Sequence, residues 1–244
     1  MGEITLPTKK REIIRQNPKL LIVFSKPKIG KTTAVSLLED NLIIEMEERG
    51  ADFVSGLIVN ASTAKELLDI AKAIEEKGKP YKYITLDTAT AMEDNIINDI
   101  AVRMYQSSPL GKDFKGGDMR RLPMGAGYGF LRDAFTYILD KFSPLCECLI
   151  LLAHCNEKQI NKDGKDMFEM EMDLAGKLKR TISAKADAIG FLYRKDNQTI
   201  INFNGGGDAI IEARSPHLAN KEFILVEKDE KTGTFINNWN QIFI

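Results

Sequence analysis

Disulfides, membrane spans and a basic face are what this chain has least material for. Its three cysteines, Cys146, Cys148 and Cys155, are odd in number and crowd around one apolar run, which excludes a disulfide framework and points to a reducing compartment, the cytoplasm. The Cys-x-Cys pair and the adjacent His154-Cys155 lack the spacing of a zinc finger or ribbon and read as packing residues. No run approaches ~18 uninterrupted apolar residues, so no membrane span is expected. Lys9, Lys10, Arg11 and Arg15 precede too short an apolar run for a cleavable leader. Formal net charge is only −1, so a nucleic-acid partner would have to be held by local basic patches rather than by a basic domain. No internal repeat or linker divides the chain. What remains is ordinary globular material: 43% hydrophobic and 28% charged residues over 244 positions, enough for a sizeable core. The expected organisation is a polar lead-in over 1–19 and a single domain over 20–244.

Strand and helix patterns alternate along that domain, as in an α/β fold with a mostly parallel sheet flanked by helices. Strands are expected at Leu20–Phe24, Leu42–Glu47, Gly56–Asn60, Tyr81–Leu86, Cys148–Ala153, Ala188–Arg194, Thr199–Phe203 and Phe223–Val226. Helices are expected from Thr32 to Asp40, Ala64 to Lys77, Met92 to Tyr105, Phe130 to Phe142 and Leu174 to Ala186. Gly78 should stop the second of these, and Ser62 or Thr63 should cap its start. Two stretches read as long irregular loops: the glycine-rich Ser107–Gly129 and the polar Asn156–Asp173.

The first strand runs directly into Ser25-Lys26-Pro27-Lys28-Ile29-Gly30-Lys31-Thr32-Thr33. This is the spacing of a nucleotide-phosphate loop, in which backbone N–H groups surround the phosphates, Lys31 reaches the β/γ oxygens and the Thr32 hydroxyl binds Mg²⁺. Ser25 stands where the first glycine is usual and Lys28 where another often sits, so the turn must form without those two residues, helped by the fixed φ of Pro27. Downstream, Tyr83-Ile84-Thr85-Leu86-Asp87 reads as an apolar strand delivering a carboxylate to the metal shell, although an aspartate capping the next helix has the same appearance. Thr88 rather than a glutamate follows Asp87, so a water-activating acid must come from elsewhere. Glu47, ending the second strand, is the candidate; alternation places Glu45 on the same face, and solvated acids at a strand end remain the competing reading.

Taken in order, the phosphate loop, the Glu-ended strand, the Asp-Thr strand, the glycine-rich loop and Leu149-Ile150-Leu151-Leu152-Ala153-His154-Cys155-Asn156-Glu157-Lys158 resemble the RecA/RadA recombinase core. The chain is most similar to the compact phage-encoded RecA-like ATPases linked to single-strand annealing. Asp173–Lys179, Ala186–Leu192 and Glu212-Ala213-Arg214 look like later segments of that group, so the match spans about 18–215. The resemblance implies an Mg²⁺-dependent ATPase with Lys31 and Thr32 on phosphate and metal, Asp87 on the metal, Glu47 activating water and His154 sensing the γ-phosphate. It also implies that Arg214 reaches a neighbour's nucleotide, that the chain assembles as a ring or filament, and that single-stranded DNA lies against Arg103–Gly129 and Asn156–Arg180. Lys112, Lys115, Arg120, Arg121, Lys177, Lys179 and Arg180 would then meet phosphates, with Tyr128 or Phe168 stacking on bases. Asp113, Asp118, Glu169, Glu171 and Asp173 dilute that positive field, and Met167, Met170 and Met172 read as packing residues. Two other classes compete: an accessory or regulatory NTPase that does not touch DNA, and a small-molecule kinase, which would need an acceptor pocket and lid arginines.

Overall fold

The computed structural model describes residues 6–162, 165–205 and 210–244, the side chains of 159–162 and 165–169 excepted. Its frame is one continuous sheet in which, among the described residues, eleven strands join. These are β1 (Leu20–Ser25), β2 (Asn41–Glu45), β3 (Leu57–Asn60), β4 (Tyr83–Asp87), β5 (Cys148–Lys162), β6 (Lys165–Met172), β7 (Ala188–Lys195), β8 (Gln198–Asn202), β9 (Glu212–Ala213), β10 (Glu222–Lys228) and β11 (Phe235–Asn237). Their order is β11-β10-β8-β7-β1-β5-β4-β2-β3, with β6 on β5 and β9 on β7. From β7 to β3 the strands are parallel, and the β8, β10 and β11 edge is antiparallel.

Alternation along β1 explains why its sequence is apolar throughout. Leu20, Ile22 and Phe24 enter one layer with α2 (Ala64–Glu76), α4 (Ile97–Gln106), α5 (Gly127–Phe142) and α6 (Gly176–Lys185). Leu21 and Val23 enter the other, with α1 (Lys31–Ser36) and the C-terminal Leu218, Trp239 and Ile242. A strand buried on both faces cannot alternate apolar with polar. Its registry with β5, Ser25 opposite His154, and that of β4, Asp87 opposite both Glu45 and Leu152, bring the polar ends of β1, β2 and β4 to the level of His154 on β5. Among the described residues no helix is long and apolar enough to cross a membrane.

Several expected boundaries move. The helix after the phosphate loop is only six residues long and is held by the Trp239 indole N–H, which donates to the Ala34 carbonyl at 2.7 Å. α2, by contrast, begins at Ala64 as expected, capped by Thr63, whose side chain and that of Glu66 form a reciprocal capping box, and Gly78 with φ 77° follows its end. The helix expected from Met92 begins earlier, as α3 (Ala89–Ala91), and passes through a π turn (Met92–Ile96) before α4, so the chain turns helical almost as soon as it leaves β4. α5 starts at Gly127 rather than Phe130; a Cβ there would fall on the Met119 carbonyl, so only glycine admits this packing.

The largest correction is Asn156–Asp173, which is not a loop: β5 continues to Lys162 and pairs antiparallel with β6. The signal was present in Asp163-Gly164, a hairpin dipeptide, followed by Met170 and Met172 alternating with Glu169 and Glu171. The side chains of Met167, Phe168 and Glu169 fall outside the described residues, whereas Met172 is buried in the helix-bearing layer.

Candidate functional site

A cavity of about 630 Å³ opens at the edge where β1 and β4 end and β5 passes through His154. Pro27, Lys28, Gly30, Lys31, Thr32 and Thr33 line it from the loop after β1, Glu47, Arg49, Gly50, Phe53 and Val54 from the segment after β2, and Asp87, Thr88, His154 and Arg194 from β4, β5 and β7. The loop solves its missing-glycine problem locally: Lys28 itself takes φ 65°, and Gly30 takes φ 107°. A left-handed lysine costs about 1–2 kcal/mol relative to glycine, a strain the surrounding loop must offset. Ser25 is buried below the loop, and Lys26 turns away to pair with Glu157 on β5. Ile29 packs against the layer that contains α1.

Lys31 is buried rather than extended into solvent. Its ammonium lies 3.2 Å from Ser25 Oγ and 3.3 Å from His154 Nδ1. Burial lowers its pKa, opposed by the charges of Asp87 and Glu47. On the far side of the imidazole, His154 Nε2 lies 2.8 Å from Glu47 Oε1, which also accepts the Thr88 hydroxyl at 2.6 Å. Lysine can only donate, so the bonding pattern assigns the neutral tautomer: Nδ1 accepts from Lys31 and Nε2–H donates to Glu47. The His154 bond, more than any other contact, holds the Glu47 carboxyl below the ordinary glutamate range, leaving an ionised carboxylate whose Oε2 accepts no hydrogen bond among the described residues.

Glu47 lies two residues past β2, whose last residue is Glu45. Glu45 is spent on local structure, because its buried carboxylate accepts the Ala51 N–H at 2.6 Å and closes the turn that carries Glu47 and Arg49. The backbone of His154 is fixed from both sides: its N–H donates to Thr90 Oγ1 at 3.3 Å, and its carbonyl accepts the Asp173 N–H at 2.9 Å.

Thr32 Oγ1 donates to Asp87 Oδ2 at 2.7 Å. Asp87 is buried, and desolvation pushes its pKa from 3.8 to about 6, with Thr32 and Lys31 opposing and Glu47 and Glu45 adding to the shift. A hydroxyl and a buried carboxylate that ionises reluctantly are the donor set of a cation held by few protein oxygens, as Mg²⁺ is when phosphates complete its shell. Among the described residues no cluster of three or more His, Cys, Asp or Glu could hold a metal unaided.

Arg214 is not brought to this group. It donates to the Ala184 carbonyl at 2.8 Å and sits 3.9 Å from Asp187, which binds the Lys19 and Leu20 N–H groups at the opposite end of β1. It cannot meet a nucleotide in its own chain's cavity. Sequence reasoning missed Arg49, Gly50, Phe53, Val54 and Arg194, all of which line the cavity. Phe53 is 95% exposed at its rim and offers an aromatic face to a base; the only cue was a large apolar residue in the polar stretch after Glu47. Arg194, at the far end of β7, carries no motif in its sequence neighbourhood.

Strand order, loop and paired acidic strand define a P-loop NTPase core of α/β class. A family model described as an AAA domain matches residues 17–221, and the chain belongs to that family. Among solved structures, the chain is similar to one described as the crystal structure of the RadB recombinase, at 10% identity and TM-score 0.45, over 91% of this chain and 92% of that one. No curated protein matches it.

Proposed function

We propose that this protein is a RecA-like, Mg²⁺-dependent ATP phosphohydrolase that acts on single-stranded DNA in recombination, annealing or replication, of the compact phage-encoded kind, working in the host cytoplasm. The observation that carries the hydrolase reading is the chain Lys31–His154–Glu47, with spacings of 3.3 and 2.8 Å, beside the Thr32–Asp87 pair. Lys31 holds the β/γ-phosphates, Thr32 and Asp87 hold the cation, and Glu47, oriented by Thr88 and His154, takes the proton of the attacking water at its free oxygen. Bound Mg²⁺ neutralises charge on the phosphates. His154 bridges Lys31 and Glu47, so a γ-phosphate that draws Lys31 away frees Nδ1 and is sensed at Glu47. Lys31→Ala tests this reading: it should abolish tight ATP binding in a folded protein, and unchanged affinity would remove the site.

The DNA half rests on the 107–126 connection, where Lys112, Lys115 and Arg121 are exposed, and on Tyr128, exposed in the first turn of α5. Arg120 does not belong with them, since its guanidinium is tied to the Glu93 carbonyl at 2.7 Å and to Asp94 at 3.3 Å. A second reading, an accessory NTPase without DNA contact, draws on the pairing of Lys158 and Lys179 with Glu171 and of Arg121 with Asp118, which cancels much of the local positive charge. A salt-dependent mobility shift of a labelled oligonucleotide with ATP and Mg²⁺ separates the two. Assembly as a ring or filament belongs to the first reading; in such an assembly Arg214, distant from its own cavity, would face a neighbouring copy.

A further inference from the structure

We infer that Arg194 is a second phosphate-binding cation of this site, supplied by the same chain that supplies Lys31. The inference rests on the nucleotide reading of the cavity and deepens it. β7 lies beside β1 in parallel register up to Phe24 opposite Phe191, so its last residues run past the phosphate loop rather than away from it. Arg194 Nη2 donates to the Ile29 carbonyl at 3.1 Å, and a Cβ built on Gly30 would lie 3.2 Å from the same nitrogen. The guanidinium is therefore held against the backbone of the loop, at the lip of the cavity that Lys31 and Thr32 line. One of its five N–H donors is used by Ile29; among the described residues no carboxylate lies within ion-pairing distance of it, and Glu47 and Asp87 bond to His154, Thr88 and Thr32 instead. An arginine anchored by one bond beside a phosphate loop, with its charge uncompensated, has the planar fork and fixed position that bidentate phosphate recognition requires.

Charge and tether are separable. Arg194→Gln keeps an N–H donor for the Ile29 carbonyl and removes the charge; Arg194→Lys keeps the charge and loses the fork. Calorimetric titration with ATP and with inorganic tripolyphosphate, in the presence of Mg²⁺, should show Arg194→Gln binding both about tenfold more weakly than wild type and Arg194→Lys within about threefold. Arg194 is exposed, so thermal midpoints should be unchanged. Wild-type affinity in Arg194→Gln, with loss only in Arg194→Ala, would make the residue a loop tether and overturn the inference. If wild-type protein bound neither ligand, the nucleotide reading itself would fall, a result distinct from equal binding by wild type and Arg194→Gln.

Discussion

Asp87→Asn should stabilise the nucleotide-free protein, and the effect should switch on with pH. Asp87 titrates near pH 6 in the folded chain against an ordinary value of 3.8, because burial disfavours its charge more than Thr32 and Lys31 favour it. Between those two values the folded state binds more protons than the unfolded one, so stability falls as pH rises through the window and stays lower above it. A shift of roughly two units corresponds to about 3 kcal/mol, an upper figure, because asparagine is also a weaker acceptor for the Thr32 hydroxyl. Urea denaturation at half-unit steps from pH 4 to pH 8 should therefore show Asp87→Asn more stable than wild type by about 1–3 kcal/mol at pH 7.5, with the difference vanishing towards pH 4. Adding Mg²⁺ and ATP should reverse the order, since a cation beside Asp87 favours its ionised form and only the wild type has one. Parallel curves for the two proteins across the range would refute burial as the cause of the shift.

Glu47→Gln preserves the contacts with Thr88 and His154 but removes the base, so ATP should bind while phosphate release falls by about 10²-fold or more; normal turnover would move the role to another acid. Replacing Lys112, Lys115 and Arg121 together by alanine should lower the log–log salt slope of oligonucleotide binding by about 2, with ATP affinity retained, and an unchanged slope would place DNA elsewhere. Gly190→Ala should cost about 1–3 kcal/mol by chemical denaturation, because a Cβ there would lie 2.6 Å from Ile201 Cγ1 in the centre of β7; a neutral effect would mean that the β7–β8 layer yields more readily than its packing implies.

Residues that act through a local pattern were legible. The phosphate loop, the strand ending at Asp87 and the capped helix after Thr63 each carry their signal within a few neighbouring positions. Glu47 was found by position, but the alternation that grouped it with Glu45 stops where β2 stops, and only tertiary contacts divide a turn-closing acid from one beside His154. Lys28 shows the opposite failure: a missing glycine looked like a defect, and the loop simply places a lysine in the left-handed region. Arg194 and Trp239 were illegible for one physical reason. Each acts on the loop or its helix from a segment more than 150 residues away, through a side chain that meets a backbone carbonyl, and no periodicity announces such a contact.

That separation also sets the order of assembly on a chain emerging from the ribosome. β1 and the phosphate loop are made well before β5 and β7, the neighbours that bury β1, and the indole that braces the loop's six-residue helix is 205 residues beyond the carbonyl it binds. A helix that short does not persist alone in water. The nascent loop therefore has neither its flanking strands nor its brace until those later segments have been synthesised, and the capacity to hold phosphate arrives after them although its motif precedes them in the sequence.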